Sequence, residues 1–356
     1  MKLLKADRTK VRLSACAVAV TLISVSSVPA VAASFTTKVF ASGSAVSATA
    51  PDSVSYGNGS LWIEYGNGVS STDYSGNSTI VQYTTSGMVQ NTWSIGGEVD
   101  GLKVNPNTGM VWALQNQDAN SRLSIINPST KAVSAFTYGA PYTASSGTRG
   151  FDDVAFVGNN VYLSEANPAS TSDPIVVKLN NSTPASPITQ TAILTGVGIP
   201  ATDPDSLKST PAGELLLSGS NDRALNLVSN PGRANQSVKS ILITGPNGTQ
   251  IGTPDDAIFS TSAAGTFYLT DDTANMIYAV SATGLLPNSL FVNTGGSFGI
   301  VDQTTGVVTP LVSGTSLHGI EFVPSTTATP EPGTLGISLL AAGFFAVLLY
   351  RRRLAK

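Results

Sequence analysis

An aspartate recurs along the chain in one local context: Asp, any residue, an apolar residue, any residue, and then usually a second apolar residue. The sixth copy begins with histidine instead. The six leading residues are Asp52, Asp100, Asp152, Asp205, Asp255 and His318. If they converge, the five carboxylates could hold a hard cation such as Ca²⁺, which takes about six to eight oxygen ligands. His318 would then be a candidate general base, because an imidazole titrates near neutral pH.

A structural interpretation explains the same repeat. An Asp side chain at the start of a strand can accept a hydrogen bond from the backbone N–H two residues further on, and so cap its own loop. A lone histidine is also commonly a hydrogen-bonded structural residue. A cation site and a set of loop caps are therefore both open at the level of the sequence.

The leading residues are separated by 48, 52, 53, 50 and 63 residues. Between them lie short runs of Val, Ile, Leu and aromatic residues bounded by turn residues, which is typical of strands. In the first interval, the runs that follow the Asp phrase cover residues 61–65, 80–83 and 89–95. Four strands repeated about every 50 residues predict a β-propeller, in which each repeat forms one blade. We therefore predict an all-β propeller over residues 34–324 with six blades, and counts of five or seven are the alternatives.

Five complete repeats and one further inner strand predict a ring that both ends of the chain close. We expect the inner strand of the last blade at residues 319–323 and its outer strand at residues 35–40. The long fifth interval contains two more strand-like runs, at 297–302 and 307–312, which we assign to the middle strands of that blade.

Composition limits the chemistry further. The single cysteine is Cys16 and the single histidine is His318, so mechanisms that need two imidazoles are excluded. The formal net charge is −3, but residues 34–330 contain 20 acids and 10 bases and therefore carry −10. Such an acidic body has no electrostatic footprint for nucleic-acid binding.

Residues 1–33 have the organisation of a secretory signal peptide. A basic segment ends at Arg12, an apolar run follows, and the small residues Ala30-Val31-Ala32-Ala33 form a plausible cleavage site. We therefore expect export, with Cys16 removed together with the signal peptide.

The C-terminus has three consecutive parts. Residues 325–334 form a polar, Pro-containing linker. Residues 335–350 are uncharged and mostly apolar, and three arginines follow them. A helix of that length spans about 24 Å, a little less than the hydrocarbon core of a bilayer, and snorkelling arginines can make up the difference. We expect residues 335–356 to form a transmembrane tail, with the arginines on the cytoplasmic side and the body outside.

This tail resembles the PEP-CTERM sorting tail of Gram-negative bacteria. The resemblance rests on the Pro-Glu-Pro motif, the apolar run and the terminal Arg cluster, in that order, and covers about 27 residues. It implies an exosortase as membrane partner, and an association with exopolysaccharide and biofilm. The protein would be anchored in the inner membrane before processing and then reside in the cell envelope, at the surface or outside. The matching residues are Pro330, Glu331, Pro332, Arg351, Arg352 and Arg353.

Two functional hypotheses remain. The first is an exported, non-enzymatic propeller that binds or scaffolds, with an extracellular polysaccharide as one partner. The alternative is a cation-dependent hydrolase of the lactonase or esterase type, since the body resembles metal-dependent six-bladed lactonases in architecture. Six aromatic residues could stack sugars if exposed, or pack between blades if buried. They are Tyr56, Trp62, Tyr65, Trp93, Trp112 and Tyr162.

Overall fold

The computed structural model describes residues 32–140 and 150–325. They belong to one compact unit that begins at Ala32. The predicted cleavage of residues 1–33, the Pro-Glu-Pro motif and the apolar tail with its arginines lie outside the described residues, so those expectations stay predictions. Within the described part, no helix is long and apolar enough to cross a membrane.

The regular secondary structure of the described residues is almost entirely β, with 23 strands. Most strands are short, and many of the turns between them contain Asn or Gly with a positive φ, as in the Asn58-Gly59 turn. The strands are β1 Ser34–Ser42, β2 Pro51–Gly57, β3 Ser60–Tyr65, β4 Asn77–Thr84, β5 Val89–Gly96, β6 Val99–Val104, β7 Val111–Gln115, β8 Arg122–Ile126, β9 Val133–Thr137, β10 Phe151–Val157, β11 Asn160–Glu165, β12 Pro174–Leu179, β13 Gln190–Thr195, β14 Pro204–Ser209, β15 Leu215–Gly219, β16 Ala224–Ser229, β17 Ser237–Leu242, β18 Ala257–Phe259, β19 Ala264–Asp271, β20 Met276–Thr283, β21 Leu290–Asn293, β22 Gly295–Val301 and β23 Val308–Pro324.

Four repeats each form one antiparallel four-stranded sheet in chain order. These sheets are β2 to β5, β6 to β9, β10 to β13 and β14 to β17. The first strands of the repeats contact one another in a closed cycle, from β2 through β6, β10, β14, β18 and β23 back to β2. The prediction of an all-β, propeller-like body is therefore confirmed.

The remaining seven strands form one sheet, in the order β1-β20-β19-β23-β22-β21-β18. The 17-residue strand β23 joins its two halves, because its first part pairs with β22 and its second part, from Leu317 to Pro324, pairs with β19. The described residues thus form five hydrogen-bonded sheets, and the prediction of six separate blades differs from this count.

The strand assignment near the closure needs a second correction. β1 does form the edge strand beside β20, as expected for the N-terminal segment. The middle strands next to it are β19 and β20, whereas the runs at 297–302 and 307–312 pair with β21 and each other. The reason is that β18 pairs with β21, although the hairpin of β19 and β20 lies between them in the sequence. That hairpin belongs to the other half of the sheet, where β19 pairs with β23.

The apolar core lies between neighbouring sheets. Trp112 of β7 packs edge-on against Phe156 of β10 at a centroid distance of 5.2 Å, and Trp62 and Trp93 of one sheet pack with Leu102 of the next. All three tryptophans, together with Tyr65 and Tyr162, are buried. These five aromatic residues therefore pack between sheets, and the sugar-stacking alternative does not apply to them; Tyr56 is half-buried.

Candidate functional site at the mouth of the inner-strand ring

The leading residues lie at a bulge that recurs in the inner strands. Pro51 of β2 pairs with Tyr65 of β3, and Val54 pairs with Ile63. The chain therefore advances three residues along β2 but only two along β3, which leaves one extra residue in β2. The same shift occurs in β6, β10 and β14, and at His318 in β23. A bulge turns a side chain away from the alternating pattern of the strand. The repeated phrase in the sequence therefore records a repeated bulge.

Hydroxyl groups from adjacent strands fix the backbone of these bulges. Ser164 Oγ donates to the carbonyl oxygen of Asp205 at 2.9 Å, and Ser218 Oγ donates to that of Asp255 at 2.7 Å. Thr270 Oγ1 donates in the same way to the carbonyl oxygen of Asp52. These three leading residues are thus held through their main chain, which leaves their side chains available for other contacts.

The leading residues surround one cavity of about 450 Å³, which we call the mouth cavity. Its lining includes twelve carboxylic acids but only two basic side chains, Lys103 and His318. The acids are Asp52, Glu64, Glu98, Asp100, Asp118, Asp152, Asp153, Asp203, Asp205, Asp255, Asp256 and Asp272.

One trio of side chains in this cavity is close enough to share an ion. His318 Nδ1 lies 3.0 Å from Asp52 Oδ1 and 3.2 Å from Asp255 Oδ1. Donor atoms of the three residues lie within 4.8 Å of one another, and within the described part of the chain they are the one such group. A nitrogen facing two carboxylate oxygens suits either a shared proton or a divalent cation. We call these three residues the triad.

The other nitrogen of the histidine is also engaged. His318 Nε2 lies 3.0 Å from Ser316 Oγ and 3.7 Å from Asp272 Oδ2. Burial alone would lower the pKa of His318, but the carboxylates of Asp255 and Asp52 outweigh burial and raise it well above its usual value. The imidazole is therefore protonated at neutral pH, which disfavours the general-base role considered from the sequence.

Among the described residues, the largest electrostatic influences on the remaining leading carboxylates are other carboxylates. Burial and then the nearby Asp152 and Asp52 raise the pKa of Asp100 well above its usual range. Burial followed by Asp255 and Asp152 does the same for the pKa of Asp205. The pKa of Asp152 is raised as well, by burial and then by Asp203. Folding thus brings these carboxylates together without neutralising them.

Directly below lies a second set of charges, which we call the floor network. Lys103 Nζ lies 3.3 Å from Asp153 Oδ2, and Lys208 Nζ lies 2.6 Å from Asp256 Oδ2. Lys208 also donates to the carbonyl oxygen of Ile320. All four charged side chains are at most 13% exposed. These contacts connect inner strands of different sheets and make the floor a structural element.

Backbone N–H groups complete the floor network. Asp256 accepts hydrogen bonds from Ala257 N at 2.7 Å and Ile320 N at 2.7 Å, while Asp153 accepts from Val154 N and Leu207 N. Loop capping of this kind was the structural interpretation of the leading residues. Among the described residues, the second acid of the Asp phrase accepts these backbone hydrogen bonds in two repeats, at Asp153 and Asp256, and the leading Asp does not.

The structure thus gathers all six leading residues at one cavity, but it brings only the triad within the reach of one ion. Sequence comparison of the repeats could not identify Glu64, Glu98, Asp118 or Asp203, because they lie outside the Asp phrase. The one available signal was their position near the end of a second strand, as for Glu64 and Asp118, or just before an inner strand, as for Glu98 and Asp203.

Comparison with solved structures supports the fold. A candidate gluconolactonase is 11% identical, with a TM-score of 0.51 over 82% of this chain and 90% of that protein. A virginiamycin B lyase from Staphylococcus aureus is 11% identical, with a TM-score of 0.43 over 83% of this chain and 90% of its own. No protein-family model and no curated protein matches the chain. At this identity the similarity concerns architecture, and the chain is a propeller-type all-β protein.

Proposed function

We propose that this chain is an exported propeller of the cell envelope or extracellular matrix that acts by binding, with a cationic ligand held in the mouth cavity. The supporting observation is the concentration of charge. Of the 20 acids between residues 34 and 330, twelve line this one cavity. Loop capping does not require such convergence, and the mutual repulsion of the carboxylates costs stability unless a cation relieves it.

The triad is the part of the cavity that fits a metal ion. Two ligands that are neighbours in a coordination shell with bonds of about 2.1–2.3 Å lie about 3.0–3.2 Å apart, as the His318 and Asp oxygen atoms do. Asp52, Asp255 and His318 would hold such an ion. Because one of these ligands is a nitrogen atom, the set differs from the all-oxygen shell that is typical of Ca²⁺. The ion would supply positive charge to the cavity in place of the imidazole proton.

The proposed cellular location is inferred from the two terminal segments of the sequence. A signal peptide at residues 1–33 would export the body, and the Pro-Glu-Pro motif with its apolar run and arginines would present the tail to an exosortase. An extracellular polysaccharide is the macromolecular partner that this class of tail suggests. We further propose that the ring has six blades, with the seven-stranded sheet counted as two blades joined through β23.

The alternative, a cation-dependent hydrolase, is favoured by one observation. The mouth cavity is far larger than an ion and would leave room for a small substrate beside the triad. The candidate gluconolactonase shares the fold of this chain, so a lactone is the first substrate to test. Because His318 is charged, one of the carboxylates with a raised pKa, such as Asp205, would be a better proton acceptor than the imidazole.

The test is elemental analysis of the purified full-length protein, combined with thermal melts in EDTA and in added Ca²⁺ or Mn²⁺. We expect a stoichiometric ion or a cation-dependent rise in Tm that is lost in Asp52→Asn/Asp255→Asn. Glu214→Gln, an acid outside the cavity, serves as the matched control and should keep the response. Melts that are indifferent to every cation, organic cations included, would refute the proposal. Lactone hydrolysis abolished in the double variant would favour the hydrolase.

A further inference from the structure

One wall of the mouth cavity contains buried oxygen atoms that lack well-formed hydrogen bonds. Both carboxylate oxygens of Glu64, Oε2 of Glu98 and Oε1 of Gln117 are buried and accept no hydrogen bond of normal geometry. All three residues line the cavity, and Glu64 is fully buried. The Ser78 hydroxyl and the Ser53 N–H near Glu64, and the Gln117 amide near Glu98, lower the pKa values of the two glutamates but do not outweigh burial. Buried acceptors without well-formed hydrogen bonds are costly, so this wall lacks a group that supplies N–H donors or positive charge.

Glu64 is an exception among equivalent positions. In β11, β15 and β19 the same register position carries Ser164, Ser218 and Thr270, whose hydroxyls support the next bulge, and in β7 it carries Leu114. In β3 the position holds Glu64, and the carbonyl oxygen of Asp100 is supported by Ser53 Oγ instead. The fold therefore does not need a carboxylate here, since other repeats perform the same structural task with a hydroxyl.

The charges of the cavity are spread too widely for one metal ion. Apart from the triad, no three acidic or histidine side chains of the described chain bring donor atoms within 4.8 Å of one another. Burial, followed by repulsion from Asp52, nevertheless raises the pKa of Glu64 well above its usual range, and repulsion also contributes at Glu98. A ligand that neutralises these groups together must carry several separated positive charges.

The lining also restricts the chemistry of those charges. The described lining of the cavity contains no Phe, Tyr or Trp side chain, so these residues do not form the aromatic cage that binds quaternary ammonium groups. Unsatisfied acceptors require a ligand with N–H donors, and a quaternary ammonium has none. Primary and secondary amines on a flexible chain meet both requirements, and about 450 Å³ is ample for such a molecule.

We propose that the mouth cavity binds a linear polyamine, with one ammonium group on the wall formed by Glu64, Glu98 and Gln117 and the others directed toward Asp100, Asp152 and Asp205. This inference rests on the proposed function in taking the cavity as a cation site, and it adds the class of ligand. The triad shares no residue with this wall, although Asp52 repels both Glu64 and Glu98.

The test is calorimetric titration of the full-length protein with spermidine, with choline and with Ca²⁺. We expect saturable 1:1 binding of spermidine, weakened by added salt, and none of choline. Glu64→Gln and Glu98→Gln should each weaken spermidine binding about tenfold or more, because each removes a charge-assisted hydrogen bond. The matched control Glu214→Gln should leave it unchanged.

The outcomes separate this inference from the proposed function. Glu64→Gln removes a buried charge and keeps the shape, so its Tm should not fall, and a loss of binding cannot be attributed to unfolding. Binding of Ca²⁺ that Asp255→Asn abolishes, without any binding of spermidine, would leave the proposed function standing and overturn the polyamine. Spermidine binding that neither glutamate variant changes would also overturn it. No binding of any cation would overturn both.

Discussion

Asp152 and Asp153 are neighbours in β10 and both line the mouth cavity, yet only Asp153 takes part in the floor network. Asp153 meets Lys103 and two backbone N–H groups, whereas Asp152 faces further carboxylates. Asp255 and Asp256 repeat the contrast with Lys208 in the floor. The charges of the floor network join inner strands, whereas Asp100, Asp152 and Asp205 at the mouth are surrounded by other carboxylates. Buried carboxylates with raised pKa values that make no ion pair within the fold indicate a candidate binding site.

The largest expected effect comes from breaking the floor. Lys208→Met should destabilise the protein by about 3–5 kcal/mol, because it leaves Asp256 buried without its counter-charge. Urea unfolding followed by tryptophan fluorescence measures the change. Lys239→Met is the control: this exposed lysine should contribute less than about 1 kcal/mol. Equal effects of the two substitutions would show that the floor is not structural.

The adjacent acids should respond in opposite directions to the same substitution. Asp153→Asn removes the buried partner of Lys103 and should cost about 2–4 kcal/mol. Asp152→Asn removes repulsion with nearby carboxylates and should raise stability by about 1 kcal/mol at pH 8. Both are read from unfolding curves without added cation. Destabilisation of similar size by both variants would remove the distinction between mouth and floor.

A smaller effect is expected from pH. The pKa values of Asp100, Asp152 and Asp205 are raised on folding, so their stabilising contribution is complete below the unfolded pKa, about 3.9, and is lost as pH rises through the folded values. His318, whose pKa is also raised, loses its contribution at higher pH still. The pKa of Asp256 is lowered because Lys208 and Lys103 outweigh burial, so its contribution is lost in acid.

Stability without added cation should therefore be greater at pH 5.5 than at pH 8. Thermal melts across this range measure the slope, which the triple variant Asp100→Asn/Asp152→Asn/Asp205→Asn should flatten. A cation bound in the mouth should raise the Tm mainly at pH 8, where the carboxylates are ionised. A slope that the triple variant leaves unchanged would place its origin outside the mouth.

The smallest effect concerns one proton. Because His318 is the single histidine, its imidazole resonances need no assignment by mutation. NMR titration should show the ring still protonated well above pH 7, since Asp255 and Asp52 raise its pKa. Asp255→Asn should bring the titration closer to the usual value of about 6.5. Asp272→Asn, which changes a more distant carboxylate at 3.7 Å, should shift it less.

Much of the fold could be predicted because the repeat is local. The Asp phrase, the spacing of the strand-like runs and the turn residues are all properties of short segments, and together they predicted the propeller and the closing role of β1. The insertion of β19 and β20 between β18 and β21 could not be predicted. Both hairpins have the same apolar pattern, and only packing against neighbouring inner strands decides which sheet half receives each one.

The candidate site divides in the same way. The sequence by itself determined that six leading residues recur and that five of them are acidic. Tertiary structure decided that they share one cavity, that His318 lies between Asp52 and Asp255, and that Glu64 faces the same space from another strand. The physical reason is that burial and repulsion act through distances in space. The pKa of a carboxylate such as Asp205 is raised only when closure of the ring buries it beside the other carboxylates.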